Sequence, residues 1–164
     1  MASGNSLVTF HPWQAEPVGS NYATQDVRNY HPVLDFDPDT DESIVFSDIL
    51  PRAYSGGGIT VYIHWAASSA TSSNVVWMVA FERIGDEQQD IDSDGFATAK
   101  SVTAAVPATL GSVSIDSIAF SNGSEIDSIA VGEKFRIKVT RDADNASDGA
   151  TGDVELVGIE LKET

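Results

Sequence analysis

Residues 59–65 set Ile59, Val61, Ile63 and Trp65 at every second position, with Thr60, Tyr62 and His64 between them. A helix turns by about 100° per residue and would scatter those four side chains, whereas a strand collects them on one face. The alternation returns at 134–140, where Phe135, Ile137 and Val139 interleave with Lys134, Arg136, Lys138 and Thr140. Residues 75–81 are apolar on both alternations, with Val75, Trp77, Val79 and Phe81 on one face and Val76, Met78 and Ala80 on the other. That is the pattern of a central strand covered on both sides. Further strands are expected at 43–46, 96–106, 112–121 and 154–161. The last two change phase, between Ile115 and Ile118 and after Leu156, which predicts a bulge in each. Gly56-Gly57-Gly58, the small polar run 67–73 and the acidic loop 85–95 supply turns, and only residues 124–129 suggest a helical turn. About eight short strands and no helix of ordinary length predict an all-β fold. The expected architecture is an antiparallel, jelly-roll-like β-sandwich.

Residues 1–31 lack this alternation but carry Phe10, Trp13, Tyr22 and Tyr30, together with His11-Pro12 and Glu16-Pro17. Each proline biases its predecessor toward extended backbone, and a free tail would hold fewer aromatic rings. The expected division is an extended N-terminal arm over 1–31 and a sandwich domain over 32–164. Phe10, Trp13, Tyr22 and Tyr30 are then the partner-binding residues, docked on this subunit or a neighbour.

A formal charge of −16, from 9 Lys and Arg against 25 Asp and Glu, argues against nucleic acid and anionic membrane surfaces as partners. No stretch approaches the ~20 apolar residues of a membrane span. The N-terminus has neither the basic nor the apolar region of a secretory signal, so synthesis and folding in a cytoplasm are expected. The chain contains no cysteine, which removes disulfides and thiolate chemistry. It also lacks the nucleophile-elbow, Walker and H-E-x-x-H patterns, so a non-enzymatic role is expected. Nothing in the spacing of His11, His31 and His64 makes them converge as metal ligands. Asp90-Ile91-Asp92-Ser93-Asp94-Gly95 matches the first half of an EF-hand loop, but its twelfth position is Ser101 and no helices flank it. Asp90, Asp92 and Asp94 are therefore the metal candidates, for a structural calcium if any; otherwise no cofactor is expected. Looser acidic groups lie at Asp35, Asp37, Asp39 and Asp41, and at Asp142, Asp144 and Asp148. The basic positions Lys134, Arg136, Lys138 and Arg141 line one strand.

Several stretches carry a family resemblance: residues 22–29 (YATQDVRN), 32–37 (PVLDFD), 46–54 (FSDILPRAY) and 58–61 (GITV). Residues 141–145 (RDADN), 152–156 (GDVEL) and 159–164 (IELKET) complete it. Together they resemble small proteins encoded by tailed bacteriophages and environmental viral sequences, some near virion structural genes. The resemblance implies a jelly-roll virion part, either a capsid decoration (cement) protein or a piece of an appendage. It implies a location in the virion, self-association as a trimer, and contacts with other virion proteins. The alternative is a carbohydrate-binding jelly-roll module of a phage tail or appendage. Sugar binders of this architecture stack pyranose rings on exposed aromatics, and Tyr54, Tyr62 and Trp13 are the candidates for that.

Overall fold

The alternating segments become strands, joined by others that the pattern did not announce. The computed structural model describes residues 4–164. Among these it has eleven strands: β1 (Ser6–Phe10), β2 (Glu16–Pro17), β3 (Thr24–Arg28), β4 (His31–Phe36), β5 (Glu42–Ile49), β6 (Ile59–Ala67), β7 (Asn74–Ile84), β8 (Lys100–Ala105), β9 (Ser114–Phe120), β10 (Lys134–Arg141) and β11 (Val154–Glu163). One sheet runs β3-β4-β11-β6-β9, with β1 pairing β11 beyond the end of β4. The other runs β2-β5-β10-β7-β8. The ladders are antiparallel, and the two sheets face each other as a jelly-roll-like β-sandwich. Residues Ser124–Ile126 form the expected helical turn as a short 3-10 segment.

The core lies between the sheets. Trp65, Trp77, Phe81 and Phe135 are fully buried there, as their alternation predicts. Trp65 meets Trp77 edge-on with ring centres 6.0 Å apart, and Phe81 meets Phe120 edge-on at 5.0 Å. Such pairs add about 0.5–1.5 kcal/mol beyond the area they bury.

The N-terminal arm is the first correction. β1 is hydrogen-bonded to β11, β3 to β4 and β2 to β5, so this segment is woven into both sheets. Phe10 is 2% exposed and stacks on Phe46 at 5.1 Å, so it is a core residue rather than a partner contact. The alternation was hidden because these strands are short and lie at edges, where half of each face stays in water.

The phase change in 112–121 is the second. β9 pairs β6 in unbroken register, with no bulge. Ile115 is simply an exposed apolar side chain, and the inward position beside it is polar. Asp116 accepts hydrogen bonds from Trp65 Nε1 and Ser114 Oγ, each at 2.8 Å, so a carboxylate occupies the slot where an aliphatic residue was expected. The bulge expected after Leu156 is present: the register of β11 against β6 shifts between Leu156 and Gly158.

Arg141 continues the inward alternation of Phe135, Ile137 and Val139 on β10 and has no exposed surface. Its guanidinium donates to Asp148 from Nε at 3.1 Å and from Nη2 at 2.9 Å. The remaining donors reach the carbonyls of Ala150, Gly152 and Phe36, so the fork is fully satisfied and folds the loop after β10 back onto the sandwich.

Candidate functional site

On β6 the side chains opposite the core belong to Thr60, Tyr62, His64 and Ala66, and they face outward from the six-stranded sheet. That outer face is hollow. Two concavities of about 270 and 410 Å³ adjoin along it and share Val157, which stands at the bulge of β11. The smaller is bounded by Thr9, His11, His64 and Glu160, and the larger by Arg28, Asn29, His31, Ala66 and Val113. The bulge makes the hollow: it interrupts the pleat at the middle of the sheet, and Gly158 lies too near the Phe10 carbonyl for easy substitution, its Cβ position being 3.3 Å away.

One wall of the trough is the β3–β4 hairpin. Arg28 pairs across it with His31, leaving a two-residue turn of Asn29 and Tyr30 with φ of 46° and 68°. A two-residue turn with both φ values positive is the type I′ class, in which the second position favours glycine. A bulky residue there is an outlier. Here it is Tyr30, and it is 94% exposed. The opposite wall is the loop before β9, where Gly111 has φ +78° and lies against the Arg28 guanidinium. Val113 and Ile115 are also exposed on this side.

At the base, Arg28 Nη1 donates to Glu155 and, at 3.0 Å, to the Ala67 carbonyl. Glu155 lies directly opposite Asp35 across the β4–β11 pair. Burial, with Asp26, Glu155 and Asp153 close by, pushes the Asp35 carboxyl up to about 6. Glu160 accepts a hydrogen bond from Ser6. Tyr62 is the next outward side chain on β6 beyond His64, outside the lining of both concavities, with the Lys162 ammonium 5.9 Å from its ring centre. The arrangement offers aromatic and apolar surface with a few fixed polar groups, the makeup of a binding site.

The other residues expected to bind are dispersed. Trp13 is 66% exposed on a 3-10 turn, Pro12–Gln14, and the His11 amide donates to Gln14 Oε1 at 2.8 Å to close that turn. Tyr22 lines a separate hollow of about 250 Å³ at the open edge between the sheets, with Ala15, Pro17 and Gln25. Tyr54 is buried, its hydroxyl donating to the Gly57 carbonyl, so it is not available for stacking. Asp90, Asp92 and Asp94 are exposed, and Asp90 Oδ1 accepts from the Asp92 amide at 3.0 Å, which turns that carboxylate toward its own loop. Among the described residues, the acids that gather as a trio within 4.8 Å are instead Asp41, Asp142 and Asp144, from two of the looser groups. Repulsion from Asp41, with some burial and Asp142 adding, raises the Asp144 carboxyl above its ordinary value. The gathering of His11, His31 and His64 along one trough was not legible beforehand; only the outward direction of His64 on β6 was.

No family model matches the sequence, and neither does any curated protein. The fold, in contrast, is close to solved structures. A family 35 carbohydrate-binding module from Clostridium thermocellum aligns with a TM-score of 0.58 at 13% identity, covering 98% of this chain and 100% of that one. The CBM22-1 xylan-binding domain of Paenibacillus barcinonensis Xyn10C aligns at 0.53 and 10% identity, covering 99% and 97%. The carbohydrate-binding module CBM6cm-2 of Cellvibrio mixtus lichenase 5A, solved with cellotriose, aligns at 0.54 and 11%, covering 98% and 99%. At these identities the likeness is one of fold.

Proposed function

We propose that this protein binds a glycan along the outer trough of the six-stranded sheet, acting as a carbohydrate-binding module rather than an enzyme. The observation that carries the reading is Tyr30. The chain places a fully presented aromatic ring at a turn position that glycine would fill with less strain, and the residues on either side of it line the trough. Strain kept at an exposed aromatic is accounted for by a partner that the ring contacts. His31, Asn29 and His64, which line the trough, supply hydrogen bonds to hydroxyls. The fold likeness to a xylan-binding domain and to a module solved with cellotriose supports the same class of ligand. The resemblance to tailed-phage proteins suggests a setting for such a module on a particle appendage. We place this reading ahead of capsid decoration, which rests on that resemblance alone, and ahead of a trimeric assembly.

The test is a glycan array followed by titration calorimetry on the hits. Tyr30→Ala should weaken binding at least tenfold, about 1.4 kcal/mol, while leaving the melting temperature unchanged, because alanine carries the same Cβ into the positive-φ position. An array without selective binding, or a Tyr30→Ala protein with undiminished affinity, would sink the assignment.

A further inference from the structure

Three places in the chain put a glycine directly after an asparagine or an aspartate: Asn122-Gly123, Asp94-Gly95 and Asp148-Gly149. In such a pair the glycine nitrogen can approach the preceding side-chain carbon, because no Cβ crowds its path. The fold treats the three differently. Gly149 gives its amide to the Asn74 carbonyl at 3.0 Å, and the Asp148 carboxylate is held by Arg141 and by the Val76 amide. Neither member of that pair is free to react. Asp94-Gly95 is exposed, but a carboxylate is a poorer electrophile than a carboxamide and has no ammonia to lose.

Asn122 is exposed in the turn between β9 and the 3-10 segment Ser124–Ile126. Its Oδ1 has only the Tyr54 hydroxyl at 3.4 Å, a long contact, and its Nδ2 has no acceptor among the described residues. The Gly123 carbonyl takes the Ile126 and Ser128 amides at 3.1 and 2.8 Å, which anchors the turn. The Gly123 amide has no acceptor among the described residues, and the space where a Cβ would stand is open. None of the other five asparagines precedes glycine. Asn145 is locked as well, donating from Nδ2 to Asp142 at 2.8 Å and accepting the Ser147 amide at 3.0 Å.

We propose that Asn122 is a self-modification site, which the folded chain converts to aspartate and isoaspartate with water as the only co-reactant. The Gly123 nitrogen attacks Asn122 Cγ and a C–N bond closes a cyclic imide. The Cγ–Nδ2 bond breaks, and the proton given up by Gly123 ends on the departing ammonia. Water then opens the imide. Cleavage of the new bond leaves aspartate, and cleavage at the Asn122 main-chain carbonyl leaves isoaspartate, with the backbone running through Cγ. Either product adds one negative charge beside Tyr54, and isoaspartate lengthens the main chain just after β9. The proposal is independent of the glycan reading.

The experiment incubates the full chain at mildly alkaline and at mildly acidic pH, then weighs its proteolytic peptides by mass spectrometry and counts isoaspartate by enzymatic methylation. The peptide carrying Asn122 should gain the mass difference between NH and O and split into two products. Conversion should be faster at alkaline pH, since attack needs a deprotonated nitrogen, while the other asparagines and Asp148 stay unchanged over the same interval. In guanidinium chloride, where the fold no longer protects it, Asp148 should yield isoaspartate too. An Asn122 that persists in the folded chain but converts in the unfolded one would overturn the proposal, because the turn would then withhold the geometry of attack. Earlier conversion of another asparagine would overturn it as well, as would an Asp148 equally inert in both states. Asn122→Gln, whose imide needs a larger ring, should abolish the signal; an undiminished isoaspartate count would place the reaction elsewhere and sink the assignment.

Discussion

Asp35 is flanked by three other carboxylates on the outer face of its sheet, and its Oδ1 is buried with no hydrogen-bond partner among the described residues. Its carboxyl is pushed up to about 6 from 3.8, chiefly by burial and then by Asp26, Glu155 and Asp153. A carboxyl raised in the folded state keeps its proton there longer than in the unfolded chain. Its stabilising contribution is therefore complete below about pH 4 and is lost as pH climbs through about 6. The site is half open to water, so screening reduces the effect to about 1 kcal/mol. Asp35→Asn should accordingly be more stable than the unaltered protein at pH 7 and lose that advantage near pH 4. Urea midpoints at the two pH values measure it, and a constant difference between the proteins would exclude the proposed cause.

At the scale of elements, the N-terminal strands matter most. β1 covers the open edge of β11 and inserts Phe10 against Phe46 and Phe135, while β3 completes the hairpin that walls the trough. Removing residues 1–31 would delete all of this, so the truncated protein should lose its cooperative melt rather than remain a folded sandwich. A circular dichroism melt like that of the full chain would show that the segment is dispensable. Phe10→Ala alone should cost ~3–5 kcal/mol as a core aromatic. At the far end of β10, Arg141→Ala would leave Asp148 buried, charged and without its guanidinium, which costs ~3–5 kcal/mol. Chemical denaturation gives that number directly. A loss below ~1 kcal/mol would mean that the loop after β10 is held by other contacts.

The whole molecule carries a formal charge of −16, and among the described residues six carboxylates are paired to cations. Like charges spread over one small sandwich repel, and the repulsion is relieved when ions shorten its range to about 10 Å at 0.1 M salt. Raising sodium chloride from about 10 mM to about 0.1 M should therefore lift the melting temperature by a few degrees. Calorimetric scans at the two salt levels test this, and a fall would indicate that ion pairs such as Arg28–Glu155 outweigh the net repulsion. The same field disfavours polyanionic ligands at neutral pH, which fits an uncharged glycan better than a nucleic acid.

Residue-level alternation determined the strands at the centre of each sheet, because burial on a pleated surface writes itself into the sequence with a period of two. β6, β7 and β10 and their buried tryptophans and phenylalanines were legible for that reason, as was the bulge in β11. Where a polar side chain takes an inward place, as Asp116 does to receive the Trp65 indole, the same logic misreads a regular strand as a bulged one. Edge strands such as β1 and β3 were illegible because their faces are only half covered. The exposed rings of Trp13, Tyr22 and Tyr30 could be named from the sequence but not sorted. Only folding placed Tyr30 at a strained turn beside a hollow, and Trp13 and Tyr22 elsewhere. The trough itself belongs wholly to tertiary structure. It requires a hairpin, a bulge and a loop from distant parts of the chain to meet on one face, and the three histidines on its walls are separated by up to fifty-three positions in sequence.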